Sequence, residues 1–320
     1  MIIDFHGDLL SHPTFSLKDP AVRCSPQQLL LGGITTQVCA LYVAHYRDSL
    51  TFSQQNQLFF SLPDQEAHIQ LITYEKPSLN TDSQNPKVSI IRSLENASGL
   101  GGDDQPLEEL LNQLIMLSKQ GPIAYLSPVW NMKNRFGGGC LEPGKLSADG
   151  KNLLNLMDEL AIPVDLSHCS DKLVDDILDY TLDKLPNLRV LASHSNFRTV
   201  KNSPRNLLDI HAKEISSRGG IIGLNVVKKF VGESLQDLKK HLSYAESLGV
   251  LSSIVLGTDF FYSLDNEDKF FSECRSSEDH PKIHQIIKEY SKKHAQEILY
   301  MQGEKFLTQI VLSQVKQHNF

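Results

Sequence analysis

Eight short apolar runs recur through the chain, each about the length of a β-strand, with amphipathic stretches between most of them. They occupy residues 2–5, 36–42, 88–94, 123–127, 163–167, 189–193, 220–226 and 253–257. They are apolar nearly throughout rather than alternating, as expected of parallel strands covered on both faces. The segments between them carry helical periodicity. Leu107, Leu110, Leu111, Leu114 and Leu117 share one face of a predicted helix over 107–119. Similar patterns predict helices at 54–71, 146–160, 171–180, 204–217 and 234–248, and two more at 280–300 and 304–317. The irregular stretches 80–86 and 134–144 read as loops, and Gly137-Gly138-Gly139 within the second reads as flexible backbone. Strands alternating with helices predict an α/β fold, a (β/α)8 TIM barrel. An open doubly wound sheet has the same alternation and stays open on this pattern alone. A length of 320 residues with 40% hydrophobic content suffices for a single barrel domain over 1–320.

Composition removes several function classes. The net charge is −7, which argues against nucleic acid as a partner. No run approaches the roughly 18 apolar residues of a membrane span, and Asp4 and Asp8 interrupt the apolar start where a signal peptide would lie. Cys24, Cys39, Cys140, Cys169 and Cys274 are odd in number and scattered. They read as reduced thiols in a cytoplasmic protein.

The ends of the runs carry the chemistry. In a barrel, functional groups gather where strands end. The first run delivers His6 and Asp8, the third Glu95, the fifth His168, the sixth His194 and the eighth Asp259. His6 and Asp8 flank Gly7, so the strand period of two can point both to one side. Each residue has an ordinary alternative. A strand-end histidine is usually a satisfied polar group, Asp259 could cap a helix, and Glu95 could be a solvated loop carboxylate. Three histidines and three carboxylates on one rim instead suit zinc or a similar divalent ion. Six groups exceed the needs of one tetrahedral ion and suit two metals sharing a carboxylate. The other histidines, among them His12, His45, His241 and His280, read as structural or solvent-facing.

The motifs together resemble the renal (membrane) dipeptidase family of zinc metallopeptidases, a metal-dependent hydrolase type of barrel. "DFHGDLL" is similar to its opening motif, "GGITTQVCA" to its second-strand segment and "RSLENASGL" to the segment holding its bridging glutamate. "DLSHCS" and "ASHSNFR" resemble its histidine motifs. "SPRNLLDIHAKEISSRGGIIGLN", "VLGTDF" and "GEKFL" resemble later segments, so the resemblance covers nearly the whole chain. It implies two Zn2+ ions, one held by His6, Asp8 and Glu95 and the other by Glu95, His168 and His194. It further implies that a metal-bridging hydroxide attacks the peptide bond of a dipeptide, that Asp259 handles the proton, and that Arg205 binds the substrate carboxylate. A homodimer is a family-based expectation.

Two departures stand out. Many relatives carry a substrate-binding histidine where this chain has Trp130, and relatives tend toward Asp-Phe-Asp-Gly where it reads Asp259-Phe260-Phe261-Tyr262. These motivate one alternative, a related amidohydrolase acting on a non-peptide amide or lactone; a second, from another class, is a catalytically inactive metal-binding or substrate-binding barrel.

Overall fold

Each apolar run becomes a parallel strand in the computed structural model, which describes residues 1–44, 49–79, 87–264 and 268–318. The loop expected at 80–86 and His45 lie outside the described residues. The strands are β1 (Ile3–Gly7), β2 (Thr36–Tyr42), β3 (Ile69–Leu71), β4 (Val88–Glu95), β5 (Ile123–Ser127), β6 (Val164–Asp165), β7 (Val190–Leu191), β8 (Ile222–Leu224) and β9 (Ile254–Leu256). Hydrogen bonding runs β7-β6-β5-β4-β2-β1-β9-β8. A parallel bridge from Ala192 to Ile222 then links the two ends, so the sheet is a nearly closed barrel. β3 lies off this circuit, paired with the start of β4 at Ile69↔Val88.

Strand parity separates an apolar floor from a polar rim. Ile3, Phe5, Val38, Ile91, Tyr125, Leu191 and Val255 form one cluster with Phe306, Leu307 and Ile310 of helix Gln302–His318. Stepping by two along the strands leads from Ile91 to Ser93 and Glu95, from Tyr125 to Ser127, and from Leu191 to Ser193. One face therefore changes from apolar to polar toward the C-terminal ends. The opposite faces carry Leu41, Ile90 and Leu94 into a layer shared with Leu110, Leu114 and Leu117 of helix Leu107–Gln120. Fully burying each such leucine contributes about 1.5–3 kcal/mol.

Several boundaries differ from expectation. The segment expected as one helix over 54–71 is helix Ser49–Gln65 followed by β3, because β4 offers Ile69 and Leu71 an edge to pair with. The helix expected over 280–300 is His280–Tyr290, then a break, then the π-helical turn Glu297–Met301 leading into Gln302–His318. The helix expected from 204 starts at Asp209, which leaves Arg205 in the preceding turn. Gly137–Gly139 is buried rather than flexible: a Cβ on Gly138 would lie 1.8 Å from the Gly144 nitrogen. Among the described residues no helix is long and apolar enough to cross a membrane.

Candidate functional site

The six strand-end groups converge. His6 Nε2 lies 3.4 Å from Glu95 Oε2 and 3.7 Å from Asp8 Oδ1. His168 Nε2 lies 2.9 Å from Glu95 Oε1 and 2.9 Å from His194 Nε2. The rings of His6 and His194 stack with centroids 3.7 Å apart. Three sets could each hold a cation, with ligand atoms within 4.8 Å of one another: His6–Asp8–Glu95, Glu95–His168–His194 and His6–His194–Asp259. The first two share Glu95, and each of its oxygens faces one of them. Asp259, expected only as a proton carrier, also belongs to the third set, its Oδ1 lying 3.8 Å from His6 Nε2.

These donors fit a metal by what they lack. His6 Nε2, Asp8 Oδ1 and Glu95 Oε2 are buried with no hydrogen-bond partner. Leaving one such atom unsatisfied costs about 1–3 kcal/mol, and three aimed at one place call for a cation.

The neighbouring bonds fix which histidine nitrogens are bare. Tyr125 Oη is 2.7 Å from both His6 Nδ1 and the Phe5 carbonyl. A carbonyl only accepts, so the phenol proton goes to Phe5, and His6 Nδ1–H must donate to the phenol. That leaves His6 Nε2 as a lone pair. His194 Nδ1 contacts Ser193 Oγ at 2.6 Å, and that hydroxyl donates to Asp165 Oδ2. His194 Nε2 is bare by the same reasoning. Asp165 also accepts from Ser127 Oγ and from the amides of Ser167 and Ser193, so one buried carboxylate ties three strand ends together. Asp4 does the same on the other side, accepting from the His6 and Thr258 amides and from His280 Nε2.

His168 Nδ1 has two neighbours, Asn131 Oδ1 at 2.8 Å and Arg205 Nε at 3.1 Å. The amide oxygen requires a proton on Nδ1; the guanidinium, itself always a donor, requires a lone pair. Only the bond to Asn131 leaves Nε2 free to ligate.

Electrostatics agree. Burial pushes Asp8 well above its usual range, with the Glu95 charge adding to it. Burial raises Glu95 to about 8 and Asp259 to about 6. Burial also holds His168 and His194 well below the ordinary imidazole value, with Arg205 as a positive neighbour of both. Carboxylates that resist ionising beside imidazoles that resist protonation form a cluster lacking a positive charge. The backbone is left-handed at His168 (φ 69°) and Asp259 (φ 64°), which turns both side chains sharply inward at their strand ends.

A cavity of about 590 Å³ opens over the cluster. Asp8, Glu95, His168 and Asp259 form part of its lining, with Arg205, Trp130, Asn131, Tyr42, Phe230, Phe261 and Tyr262 around them. Arg205 is buried, donating Nη1–H to Ser195 Oγ and Nη2–H to the His194 carbonyl, with its guanidinium over the Phe230 ring. Trp130 packs edge-on against Tyr42. Thus the structure brings together all eight residues singled out in the sequence.

Residues 1–300 match the profile of the membrane dipeptidase family, peptidase family M19. The chain belongs to that family. Among solved structures, a dipeptidase AC of family M19 superposes with a TM-score of 0.81 at 19% identity, over 97% of this chain and 98% of that one. A metallopeptidase from Rhodobacter sphaeroides, liganded with a phosphinate mimic of the dipeptide L-Ala-D-Ala, gives 0.79 at 18% identity, over 96% and 98%. Both share the barrel fold. An uncharacterised protein in the pqqA 5′ region of Klebsiella pneumoniae is 25% identical over 54% of this chain and 65% of its own length. An uncharacterised dipeptidase of Schizosaccharomyces pombe is 28% identical over 43% of this chain and 35% of its own length. The chain thus spans less than two thirds of each of these two relatives.

Sequence reasoning missed the supporting residues of this dipeptidase-family site. Asp4 and Asp165 carried a signal, an acid inside an otherwise apolar strand. Asn225, whose Nδ2 donates to Asp259 Oδ2 at 2.7 Å, stands just past β8 and was reachable by the same strand-end rule. Tyr125 and Ser193 gave no signal, because the bonds that direct their hydroxyl protons, to the Phe5 carbonyl and to Asp165, come from other strands.

Proposed function

We propose that this chain is a metallo-dipeptidase whose paired divalent-metal centre, of zinc by preference, uses Glu95 as the shared ligand. The observation that carries the reading is the trio of orphaned atoms on His6, Asp8 and Glu95, beside a second set built on the other oxygen of Glu95. Ions held there would polarise a carbonyl and lower the pKa of water. Family membership and the superposed dipeptidases support the substrate class. The five cysteines are free and buried, which supports a reducing, cytoplasmic setting.

The chain's own groups divide the remaining work. His6, Asp8, His168 and His194 hold the metals. Arg205 anchors the free carboxylate of the substrate; its bonds to Ser195 Oγ and the His194 carbonyl, and the Phe230 ring beneath it, hold it so that it needs no reorganisation to bind. A carboxylate anchor so near the cluster limits the substrate to dipeptides. Asp259, raised to about 6, can take a proton near neutrality and return it to the leaving amine. Asn225 holds Oδ2 of Asp259 and leaves Oδ1 on the cluster side. Trp130 and Tyr42 supply an aromatic wall for a substrate side chain.

The test is turnover of a panel of L,L and L,D dipeptides by zinc-loaded protein, with metal analysis of wild type and His168→Ala. About two metals per chain, reduced in the variant, with turnover of at least one dipeptide, is the expected result. Turnover of a non-peptide amide or lactone but of no dipeptide would replace this reading with the related amidohydrolase. Arg205→Met should raise KM for dipeptides roughly thirtyfold, from about 2 kcal/mol of lost charge-assisted bonding, and should matter little for the corresponding dipeptide amides.

A further inference from the structure

Gly139 takes no part in the site as described so far, yet it packs against Asn131, whose side chain has so far served only to orient His168. A Cβ on Gly139 would lie 2.3 Å from the carbonyl carbon and oxygen of Asn131 and 2.3 Å from the Trp130 carbonyl. Only glycine permits that approach. The Leu141 amide then donates to the Asn131 carbonyl at 2.9 Å. The backbone of Asn131 is therefore braced from behind by the glycine segment.

Its side chain is fixed as firmly at one end. Asn131 Oδ1 accepts from His168 Nδ1 at 2.8 Å and from Cys140 Sγ at 3.3 Å. Two donors on the oxygen prevent the amide from flipping, since a flipped amide would set N–H against N–H. Nδ2 has no hydrogen-bond partner among the described residues, and Asn131 lines the cavity with Glu95, His168, Arg205 and Asp259. The result is a rigid pair of N–H donors, one imidazole ring away from the cluster, with no acceptor among the described residues.

We infer that the Asn131 carboxamide donates to the carbonyl oxygen of the scissile peptide bond and stabilises the negative charge that gathers there as the carbonyl carbon becomes tetrahedral. This rests on the dipeptidase reading above. A substrate with its carboxylate at Arg205 and its scissile carbon over the cluster must pass His168, and Asn131 touches the same ring nitrogen as Arg205 does. A preorganised neutral donor costs no reorganisation when the charge forms, and its contact strengthens with that charge. Trp130 is the neighbouring alternative, since it also lines the cavity and its indole carries an N–H donor.

The experiment compares wild type, Asn131→Asp, Asn131→Ala and Trp130→Phe as metal-loaded proteins. Asn131→Asp keeps an oxygen for His168 and removes the donor; Trp130→Phe keeps the wall and removes the indole N–H. Metal content, kcat and KM for a dipeptide, and the affinity of a tetrahedral phosphinate dipeptide analogue are measured. The expected result for Asn131→Asp is unchanged metal content, a kcat about 100-fold lower, KM little changed, and phosphinate affinity reduced in proportion. Asn131→Ala should lose at least as much kcat, because it also removes the acceptor that holds His168 Nδ1–H, and Trp130→Phe should lose less kcat than Asn131→Asp. The inference is overturned by an Asn131→Asp protein that keeps kcat and phosphinate affinity, changes KM alone, or loses metal. A larger kcat loss in Trp130→Phe than in Asn131→Asp also overturns it. Absence of dipeptide turnover by wild type defeats the underlying function instead.

Discussion

Tyr125 is completely buried, and its hydroxyl decides which nitrogen of His6 faces the cluster. Tyr125→Phe removes the acceptor for His6 Nδ1–H and frees the ring to take the other tautomer. Losing such a support typically weakens metal affinity about 10–100-fold. A chelator-competition titration of wild type and Tyr125→Phe should show that drop while the fold stays intact; equal affinities would mean the tautomer is set elsewhere. Residues of this kind explain what the sequence could and could not reveal. His6, Asp8, Glu95, His168, His194 and Asp259 were legible because each is polar and follows an apolar strand. Tyr125 and Ser193 were not: Tyr125 acts on a partner across the barrel, and Ser193 acts on its neighbour His194 through a bond that the Asp165 carboxylate of the adjacent strand directs. Arg205 was legible only by resemblance, and its burial comes from a turn the periodicity read as helix.

Elements were legible wherever burial on both faces wrote a continuous apolar run. They failed where pairing overrode local pattern. The stretch 54–71 kept helical spacing through Leu71, but the edge of β4 captured its end as β3. The seam of the barrel shows a further constraint. A Cβ on Gly223 or on Gly257 would lie 1.8 Å from the Ser193 carbonyl oxygen. Neither glycine has a left-handed φ, so close approach and not backbone freedom demands it. β7 and β8 meet here through a single bridge, and crowding would push them apart. Gly257→Ala should destabilise the protein by about 1–3 kcal/mol through overpacking, seen as a lowered thermal midpoint. Gly249→Ala, beside open space but at φ 80°, should lose stability through backbone strain while leaving activity untouched. If Gly257→Ala were as stable as wild type, the seam would have slack that these distances deny.

For the whole molecule, the cluster makes stability depend on metal and on pH together. Glu95 is raised from 4.5 to about 8 by burial, so between those values the metal-free fold binds a proton that the unfolded chain has lost. Metal-free stability must therefore fall as pH rises through that window. His168, His194 and His241 act with the opposite sign: burial lowers them below 6.5, so they cost stability only as pH falls below that value. Between pH 6.5 and 8 the histidine contribution fades as the unfolded imidazoles lose their remaining protons, and the falling contribution of Glu95 outweighs it, with Asp8 displaced in the same direction. A bound cation changes this, because it favours ionised carboxylates across the range and adds binding free energy to the native state alone. Urea unfolding at pH 6.5 and pH 8 should thus show a metal-free protein that is weaker at the higher pH and a metal-loaded protein that is stronger at both, with little slope. Glu95→Gln, which cannot ionise, should flatten the metal-free profile and abolish most of the gain from metal. A metal-free profile rising from pH 6.5 to 8, or one unchanged by Glu95→Gln, would show that this buried carboxylate does not govern the coupling between the barrel's rim and its stability.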